Sequence, residues 1–320
     1  MMFSLLLADG TEIMNYSLLS FDSGAGPRAG LAVGDVVLDL AEASGKPANE
    51  QLTFVFDHWS EAEHVCRELA RRASRASNSA AVPLKGLGLL APYVPGNIFC
   101  AGANYQDHVE EMARVMQQPI ALNAKQLGEN PWHFIKTSRS AVVGPGAQVA
   151  LPAFSQRIDH EIELAVVIGL AAKNVPVERA LEHVAGYTVA NDLSAREVGR
   201  PLTPAGSPFH YDWITMKCFD GSCPLGPWIV PASSIPDPQV LGMKLWVNGT
   251  LRQDSSTSHM IFSVAEQIAW LSSRVTLQPG DLILTGSPAG VGMPYQRFLK
   301  SGDVVRLWIE RIGEMSHRMV

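Results

Sequence analysis

The chain has 320 residues, of which 47% are hydrophobic and 18% are charged, a balance typical of a globular protein with a large buried core. Its 25 basic and 31 acidic residues give a net charge of −6 without a prominent Lys/Arg run, which argues against both a nucleic-acid partner and an anionic membrane surface. The four cysteines form no CxxC pair, and the first apolar run is too short for a signal peptide, so we expect a reducing, cytoplasmic compartment.

Residues 1–90 are predicted to form a small N-terminal α+β domain. A helix is expected at residues 61–76, because apolar side chains recur along one face there. A linker follows at residues 77–97. Short apolar strands broken by Asp-Gly and Gly-Asp turns are expected earlier, at residues 3–7, 31–33 and 36–40.

Residues 91–320 are predicted to form a second, larger domain that is rich in β-strands. Many short apolar runs alternate with Pro and Gly, while the helical patterns are few. This texture favours a sandwich, roll or barrel over an alternating parallel sheet. The helices are expected at residues 106–116, 177–183 and 263–273.

An acidic strand stands out at residues 157–169, with the sequence RIDHEIELAVVIG. On a strand, Glu161 and Glu163 project from the same face about 7 Å apart. Two carboxylates that run into a buried strand are costly unless a positive charge compensates them. An all-oxygen ligand set suits Mg²⁺, Mn²⁺ or Ca²⁺ rather than zinc. The alternative is a solvent-facing edge whose glutamates pair with arginines.

Three further segments carry polar residues that suit catalysis. Asp192 ends a strand and would complete a three-carboxylate site, although Asn-Asp is also a common turn. His108 and Glu111 lie three apart on a predicted helix, where a carboxylate would orient an imidazole as a general base, although such pairs are common on helix surfaces. Lys217 among apolar residues fits a cation that stabilises an oxyanion, or a lysine that reaches water.

Taken together and in order, these segments resemble the fumarylacetoacetate hydrolase family from about Asn97 to the C-terminus. Acylpyruvase-like and 2-hydroxyhepta-2,4-diene-1,7-dioate isomerase-like members are the nearest in pattern. The resemblance rests on eight motifs in register: NYQDHVEEM, FIKTSRSAVVGPG, IDHEIELAVVIG, VAGYTVANDLSARE, KCFDGSCPLGPW, VNGTLRQDSST, LQPGDLILTGSPAGVG and GDVVRLWIERIG.

The resemblance implies a mixed, β-rich α+β fold with a β-roll or barrel catalytic domain, usually in a homodimer. It implies a Mg²⁺ cofactor, with Mn²⁺ or Ca²⁺ as alternatives, and a small 2-oxo acid as substrate. By position in the motifs, the metal ligands are Glu161, Glu163 and Asp192, the catalytic residues are His108, Glu111 and Lys217, and the substrate-binding residues are Arg196, Thr285 and Tyr105.

Several departures from the family pattern fall around the expected substrate site. Glu197 stands where Asp is usual, Gly199 replaces a Gln, and Ser287 replaces a Thr. The segment 199–212 is also longer than in compact members. These differences put the substrate in question rather than the metal site.

The resemblance predicts a hydrolase that cleaves a C–C bond in a 2,4-dioxo acid, an acylpyruvate or fumarylpyruvate, through an enolate, as in aromatic catabolism. In this hypothesis His108 activates water and Lys217 stabilises the negative charge, while the long connection at residues 113–132 acts as a lid. An oxaloacetate-type decarboxylase and a 2-oxo-diene isomerase or hydratase are alternatives on the same scaffold. A non-catalytic scaffold protein is a rival of another class.

Overall fold

The computed structural model describes residues 5–6, 12–13, 15–75, 81–117, 124–197 and 212–320. Several predictions fall partly or wholly outside these residues. They concern parts of the strand at 3–7, the linker at 77–97 and the connection at 113–132, the last residue of the helix at 61–76, Gly199, and most of the segment 199–212.

The N-terminal part of the chain forms short strands followed by a layer of helices. Its strands are β1 (Leu5–Leu6), β2 (Glu12–Ile13), β3 (Ser17–Asp22), β4 (Pro27–Val33), β5 (Val36–Asp39) and β6 (Val82–Pro83). Its helices are α1 (Leu40–Ser44), α2 (Leu52–Asp57) and α3 (Trp59–Ala73). Helix α1 is capped at its N-terminus by Asp39, whose carboxylate accepts the N–H of Glu42, and at its C-terminus by Gly45, whose φ of 66° suits a residue without a Cβ.

The rest of the chain is dominated by short strands, as predicted. The strands are β7 (Ile98–Ala101), β8 (His133–Lys136), β9 (Val142–Val143), β10 (Gln148–Val149), β11 (Ile158–Asp159), β12 (Ile162–Ile168), β13 (Val184–Asn191), β14 (Ser194–Ala195), β15 (Cys223–Pro231), β16 (Gly242–Val247), β17 (Thr250–Ser256), β18 (Leu282–Leu284), β19 (Val304–Ile309) and β20 (Gly313–Met319). The helices are α4 (Gln106–Met116), α5 (Trp213–Lys217) and α6 (Val264–Arg274).

Two of the three helices predicted in this part are confirmed. Helix α4 has the predicted bounds, and α6 begins after Ser263, which forms a capping box with Glu266. The third, at Val177–His183, is a 3-10 helix, which indicates a tighter turn than the expected α-helix.

The main sheet has eleven strands, and its order is β6-β5-β4-β3-β15-β13-β12-β18-β7-β8, with β9 paired to β15. The N-terminal strands continue this sheet, because β3 pairs with β15. The division into domains at residue 90 stays a prediction. The predicted mixed, β-rich α+β fold is confirmed. Among the described strands, β6 and β8 end the order without joining each other, so of the two forms expected, roll or barrel, the sheet does not form a closed barrel.

The central strand β12 is buried on both faces, which explains its continuous apolar sequence. Leu164 and Val166 share an apolar cluster with Leu307 of the second sheet, whose order is β10-β20-β19-β16-β17. Ala165 and Val167 pack on the opposite side, in a cluster that includes α3. The main sheet is therefore the middle layer of three. None of the helices in the described parts of the chain has the length and apolarity needed to cross a bilayer.

Candidate active site

Three buried carboxylates meet where β12 begins and β13 ends. The two strands are antiparallel, with Ile162 opposite Asn191, so Glu161 and Glu163 lie beside Asp192, although Asp192 is about thirty residues away in sequence. One oxygen of each carboxylate lies within 4.8 Å of the others. The strand register thus brings together the three predicted metal ligands and excludes the alternative of a solvent-facing edge.

Two lysines bind this acid cluster from the side. Lys217 Nζ lies 2.6 Å from Glu161 Oε2 and 2.6 Å from Asp192 Oδ2, so it does not reach bulk water. Lys136 Nζ lies 2.6 Å from Asp192 Oδ1, and the side chain is fully buried at the end of β8. Lys136 was not identified from the sequence. The signal was present, because Lys136, like Lys217, is a single lysine among apolar residues.

Arg196 provides the third cation. Its guanidinium pairs with Glu161 and, at 3.0 Å, with Asp159 Oδ2. Asp159 in turn accepts the backbone N–H groups of Gly292 and Met293, at 2.6 and 2.9 Å, which fixes the loop after β18 to the start of β12. Arg196 was predicted from its motif, and the structure places it at the wall of the same pocket.

The two glutamates of the cluster have opposite electrostatics. Burial tends to raise the pKa of Glu161, but Arg196 and Lys217 outweigh it and hold that pKa well below its usual range. Burial, with Asp192 and Glu161 as like-charged neighbours, raises the pKa of Glu163 well above its usual value. Glu163 accepts the N–H of Gly286 at 2.6 Å but joins none of the ion pairs found among the described residues.

The donor set therefore fits a divalent cation. Four carboxylates, those of the cluster and of Asp159, face three cations, Lys136, Arg196 and Lys217, so one carboxylate, that of Glu163, has no compensating positive charge. A hard cation bound by Glu161, Glu163 and Asp192 would supply this charge, and all-oxygen ligation suits Mg²⁺ or Mn²⁺.

His108 faces the cluster from α4. It lines the same pocket as Glu161, Glu163 and Lys217. Burial lowers the pKa of His108, more than the nearby Glu161 raises it, so the imidazole is neutral at neutral pH and able to accept a proton. Its Nδ1 atom has no hydrogen-bond partner among the described residues.

Glu111 does not form the orienting contact that we predicted. It shares a helix face with His108, but its carboxylate accepts the N–H of Gly290 at 2.8 Å and the hydroxyl of Tyr295 at 2.8 Å. No hydrogen bond between Glu111 and His108 is found in the described structure. Glu111 instead fastens α4 to the loop after β18, because two donors of that loop occupy its oxygens.

Two of the predicted substrate contacts point away from the pocket. The Thr285 hydroxyl donates to the Leu164 carbonyl at 2.9 Å, and the fully buried Tyr105 hydroxyl lies 3.2 Å from Met243 Sδ. Both are satisfied inside the core, so their placement does not fit substrate binding. Ser287 does line the pocket, and its Oγ accepts a hydrogen bond from Gln253 Nε2 at 2.9 Å.

Glu197, a departure from the family pattern, has a structural partner. Its carboxylate accepts hydrogen bonds from the Ser155 hydroxyl and the Gln156 N–H. It therefore holds the loop before β11 and is not one of the pocket-lining side chains found among the described residues.

The pocket itself has a volume of about 160 Å³. A larger cavity of about 410 Å³ lies between the N-terminal strands and β15, but no predicted site residue lines it. The lining of the smaller pocket combines the charged residues with an aromatic wall: Ala101, Gly102, Ala103, His108, Trp132, Phe134, Glu161, Glu163, Arg196, Trp213, Met216, Lys217 and Ser287.

The fold is an open mixed sheet, and the ends of its central strands carry a buried carboxylate triad beside a neutral histidine. This combination is that of a candidate metal-dependent enzyme. The profile of the fumarylacetoacetate (FAA) hydrolase C-terminal family matches residues 97–320, and the chain belongs to this family of enzymes. The resemblance seen in the motifs is confirmed.

Relatives of this chain have several activities. Oxaloacetate tautomerase FAHD2B, mitochondrial, of Bos taurus is 38% identical over 304 residues, which cover 92% of this chain and 88% of the relative. Fumarylacetoacetate hydrolase of Exiguobacterium antarcticum has a TM-score of 0.73 at 30% identity, over 95% of this chain and 99% of that one. Maleylpyruvate hydrolase of Sphingobium sp. SYK-6, in complex with manganese (II) ion and pyruvate, has a TM-score of 0.71 at 30% identity, over 95% and 98%.

Proposed function

We propose that this chain is a divalent-metal-dependent enzyme that interconverts the keto and enol forms of a 2-oxo acid. The observation that carries the proposal is the placement of a neutral imidazole, His108, in one pocket with a carboxylate triad that lacks one compensating positive charge. The similarity to an oxaloacetate tautomerase, and to a hydrolase bound to manganese and pyruvate, supports the same chemistry.

Glu161, Glu163 and Asp192 would hold the metal, with Mg²⁺ or Mn²⁺ as the ion. When bound, such an ion supplies Lewis-acid polarisation of the 2-oxo group, which acidifies the adjacent C3–H. With Glu161, Glu163 and Asp192 all ionised as its ligands, a divalent ion would leave the site with one excess positive charge. The site then complements the carboxylate of a 2-oxo acid.

Proton transfer falls to His108. The imidazole takes a proton from C3, the C–H electron pair becomes the C2=C3 double bond, and the proton returns to the former carbonyl oxygen as the enol O–H. Lys217 and Arg196 line the same pocket, where their two positive charges would stabilise the oxygen on which negative charge develops. A single base is sufficient for this reaction, and no water has to be activated.

Hydrolysis of a C–C bond in a 2,4-dioxo acid is the second candidate, and the similarity to maleylpyruvate hydrolase favours it. In that reaction His108 would deprotonate a water molecule rather than a carbon. The partners of Glu111 weigh against it, because the carboxylate expected to orient the base is held by Gly290 and Tyr295. An oxaloacetate-type decarboxylase would share the enolate and differs only in the bond that breaks.

The test is an assay of the metal-free protein reloaded with Mg²⁺ or Mn²⁺. We expect metal-dependent loss of enol absorbance for a 2-oxo acid such as oxaloacetate, and exchange of C3 protons for deuterium in D₂O. Accumulation of pyruvate plus a free acid from an acylpyruvate would favour the hydrolase instead. A protein that accelerates none of these reactions with either metal would contradict both candidates.

Two further expectations accompany this function. We propose that the chain forms a homodimer, which light scattering after size-exclusion chromatography would test. We also keep the cytoplasm as its compartment; since the tautomerase relative carries the word mitochondrial in its name, cell fractionation with a matrix marker is the relevant measurement.

A further inference from the structure

One side of the pocket is an aromatic wall, which we define as Trp132, Phe134 and Trp213. Trp132 contacts Trp213 edge-on at 5.5 Å between ring centroids, and Phe134 stacks on Trp213 at 5.2 Å with 15° between the planes. These separations are those of favourable aromatic pairs. All three rings line the pocket that holds the acid cluster.

The aromatic wall keeps large rings in contact with solvent. Trp132 is 46% exposed and Trp213 is 36% exposed, although apolar side chains of this size are usually buried. The Trp132 indole also lies directly against Gly102, where a Cβ would come within 1.9 Å of the ring. Gly102 thus leaves room for the Trp132 indole at the pocket, and a side chain at residue 102 would displace it.

The aromatic wall begins where the charged floor ends. Lys217 Nζ lies 4.9 Å from the centre of the Phe134 ring, while the same nitrogen binds Glu161 and Asp192 at 2.6 Å. A substrate held at the acid cluster by its carboxylate and 2-oxo group would therefore place its C3 substituent against the rings. This step rests on the proposed function.

The charges of the pocket favour an uncharged substituent there. Among the described lining residues, the two permanent cations, Arg196 and Lys217, are already paired with acids at the floor. A second carboxylate on the substrate would lie against the rings and lose part of its hydration, and no described lining residue offers it an unpaired positive charge, which makes its placement there costly. A flat ring or conjugated chain would instead stack.

We propose that the aromatic wall selects 2-oxo acids whose C3 carries a flat, uncharged aryl or conjugated group, in preference to four-carbon dicarboxylic 2-oxo acids. Trp132 is the specificity-determining residue, because its indole is the most exposed of the three rings and lies beside Gly102.

The test compares two unreactive 2-hydroxy acids, 3-phenyllactate and malate, which share the carboxylate and hydroxyl and differ in the C3 substituent. Calorimetry on the Mn²⁺-loaded protein should give a Kd for phenyllactate at least tenfold lower than for malate. Trp132→Leu should weaken phenyllactate about fivefold to tenfold, the size expected from one aromatic contact, and change malate less than twofold. Trp132→Phe, which keeps a ring, should retain most of the affinity.

Trp270→Leu is the matched control, because Trp270 stacks on Arg274 and is not among the pocket-lining residues. Tighter binding of malate, equal losses for both ligands in Trp132→Leu, or no binding of phenyllactate would overturn the inference. Turnover of oxaloacetate without a preference for phenyllactate would leave the proposed function standing and this inference refuted. Selective binding of phenyllactate without enolisation of any 2-oxo acid would support this inference and refute the proposed function.

Discussion

The floor and the mouth of the pocket are built from different interactions. At the floor, the carboxylates and cations are buried, and most of them have two or more partners, as Asp192 has with Lys136 and Lys217. At the mouth, Trp132 and Trp213 are partly exposed and contact one another mainly through their rings. The floor is therefore fixed by charge, and the mouth by shape and apolar contact.

This difference separates chemistry from selectivity. A buried charge network tolerates little change, because removal of one partner leaves another charge uncompensated. Aromatic contacts at a partly exposed rim change by smaller increments. We therefore expect substitutions at the floor to abolish the reaction and substitutions at the mouth to redirect it.

The largest effect is expected at Glu163. Glu163→Ala should reduce metal-dependent turnover by a factor on the order of 1,000 or more, because it removes a ligand that the lysines and Arg196 leave available. Mn²⁺ at a hundred times its Kd should stabilise the wild-type protein by about 2.7 kcal/mol and so raise its melting temperature. This rise should disappear in Glu163→Ala. Glu182→Ala, in an exposed ion pair with Arg179, is the control. Normal turnover and a normal thermal shift in Glu163→Ala would remove it from the ligand set.

His108 should show the next largest effect, and on catalysis alone. His108→Gln should slow enolisation about 100-fold to 10,000-fold, the usual contribution of a general base, and leave the Mn²⁺-induced thermal shift intact. Because burial lowers the pKa of His108, the acid limb of kcat/KM for the wild-type enzyme should lie below pH 6.5. An unchanged rate in His108→Gln would assign the base to another group.

Lys136 tests the floor through stability. Lys136→Met removes one of the two ammonium groups on Asp192, and we expect the metal-free protein to lose about 3 kcal/mol of unfolding free energy in urea titrations. Lys244→Met breaks an exposed pair with Asp254 at 3.3 Å and should cost less than about 1 kcal/mol. Equal losses of unfolding free energy in the two variants would show that the buried ion pairs contribute no more to stability than an exposed one.

The smallest expected effects are on the pH dependence of stability, and they come from one histidine near the mouth and one near the floor. His133 lies on β8 behind the mouth and His317 on β20 behind the floor, and burial lowers the pKa of each to about 4. Their unfolded pKa is near 6.5, so the unfolded chain binds more protons between these values. Stability is then complete above pH 6.5 and falls as the pH drops towards 4.

Each of these histidines should contribute about 1–2 kcal/mol of the loss at pH 5. Chemical denaturation of His133→Asn and His317→Asn between pH 7 and 5 should give a flatter dependence than wild type. His64→Asn, on the exposed side of α3, should leave the dependence unchanged. If the unfolding free energy of both His133→Asn and His317→Asn depends on pH as steeply as that of wild type, burial of these histidines is not the cause of the pH dependence.

The sequence by itself determined the local features of this protein. A period of two placed Glu161 and Glu163 on one face of β12, and the spacing of α4 placed His108 with Glu111. The motifs in register determined the family. These features depend on neighbours within a few residues, so local patterns suffice to predict them.

Only the tertiary structure decided which groups meet. The register of β12 with β13 brought Asp192 to the glutamates. Gly290 and Tyr295, which lie 179 and 184 positions beyond Glu111, bind its carboxylate and keep it from His108. Lys136 reached the cluster from β8, the last strand in the sheet order, and the rings of the mouth came from β8, the residue just before it, and α5. Contacts of this kind depend on how strands pair and sheets pack across the whole chain. The spacing of residues within one segment does not predict them.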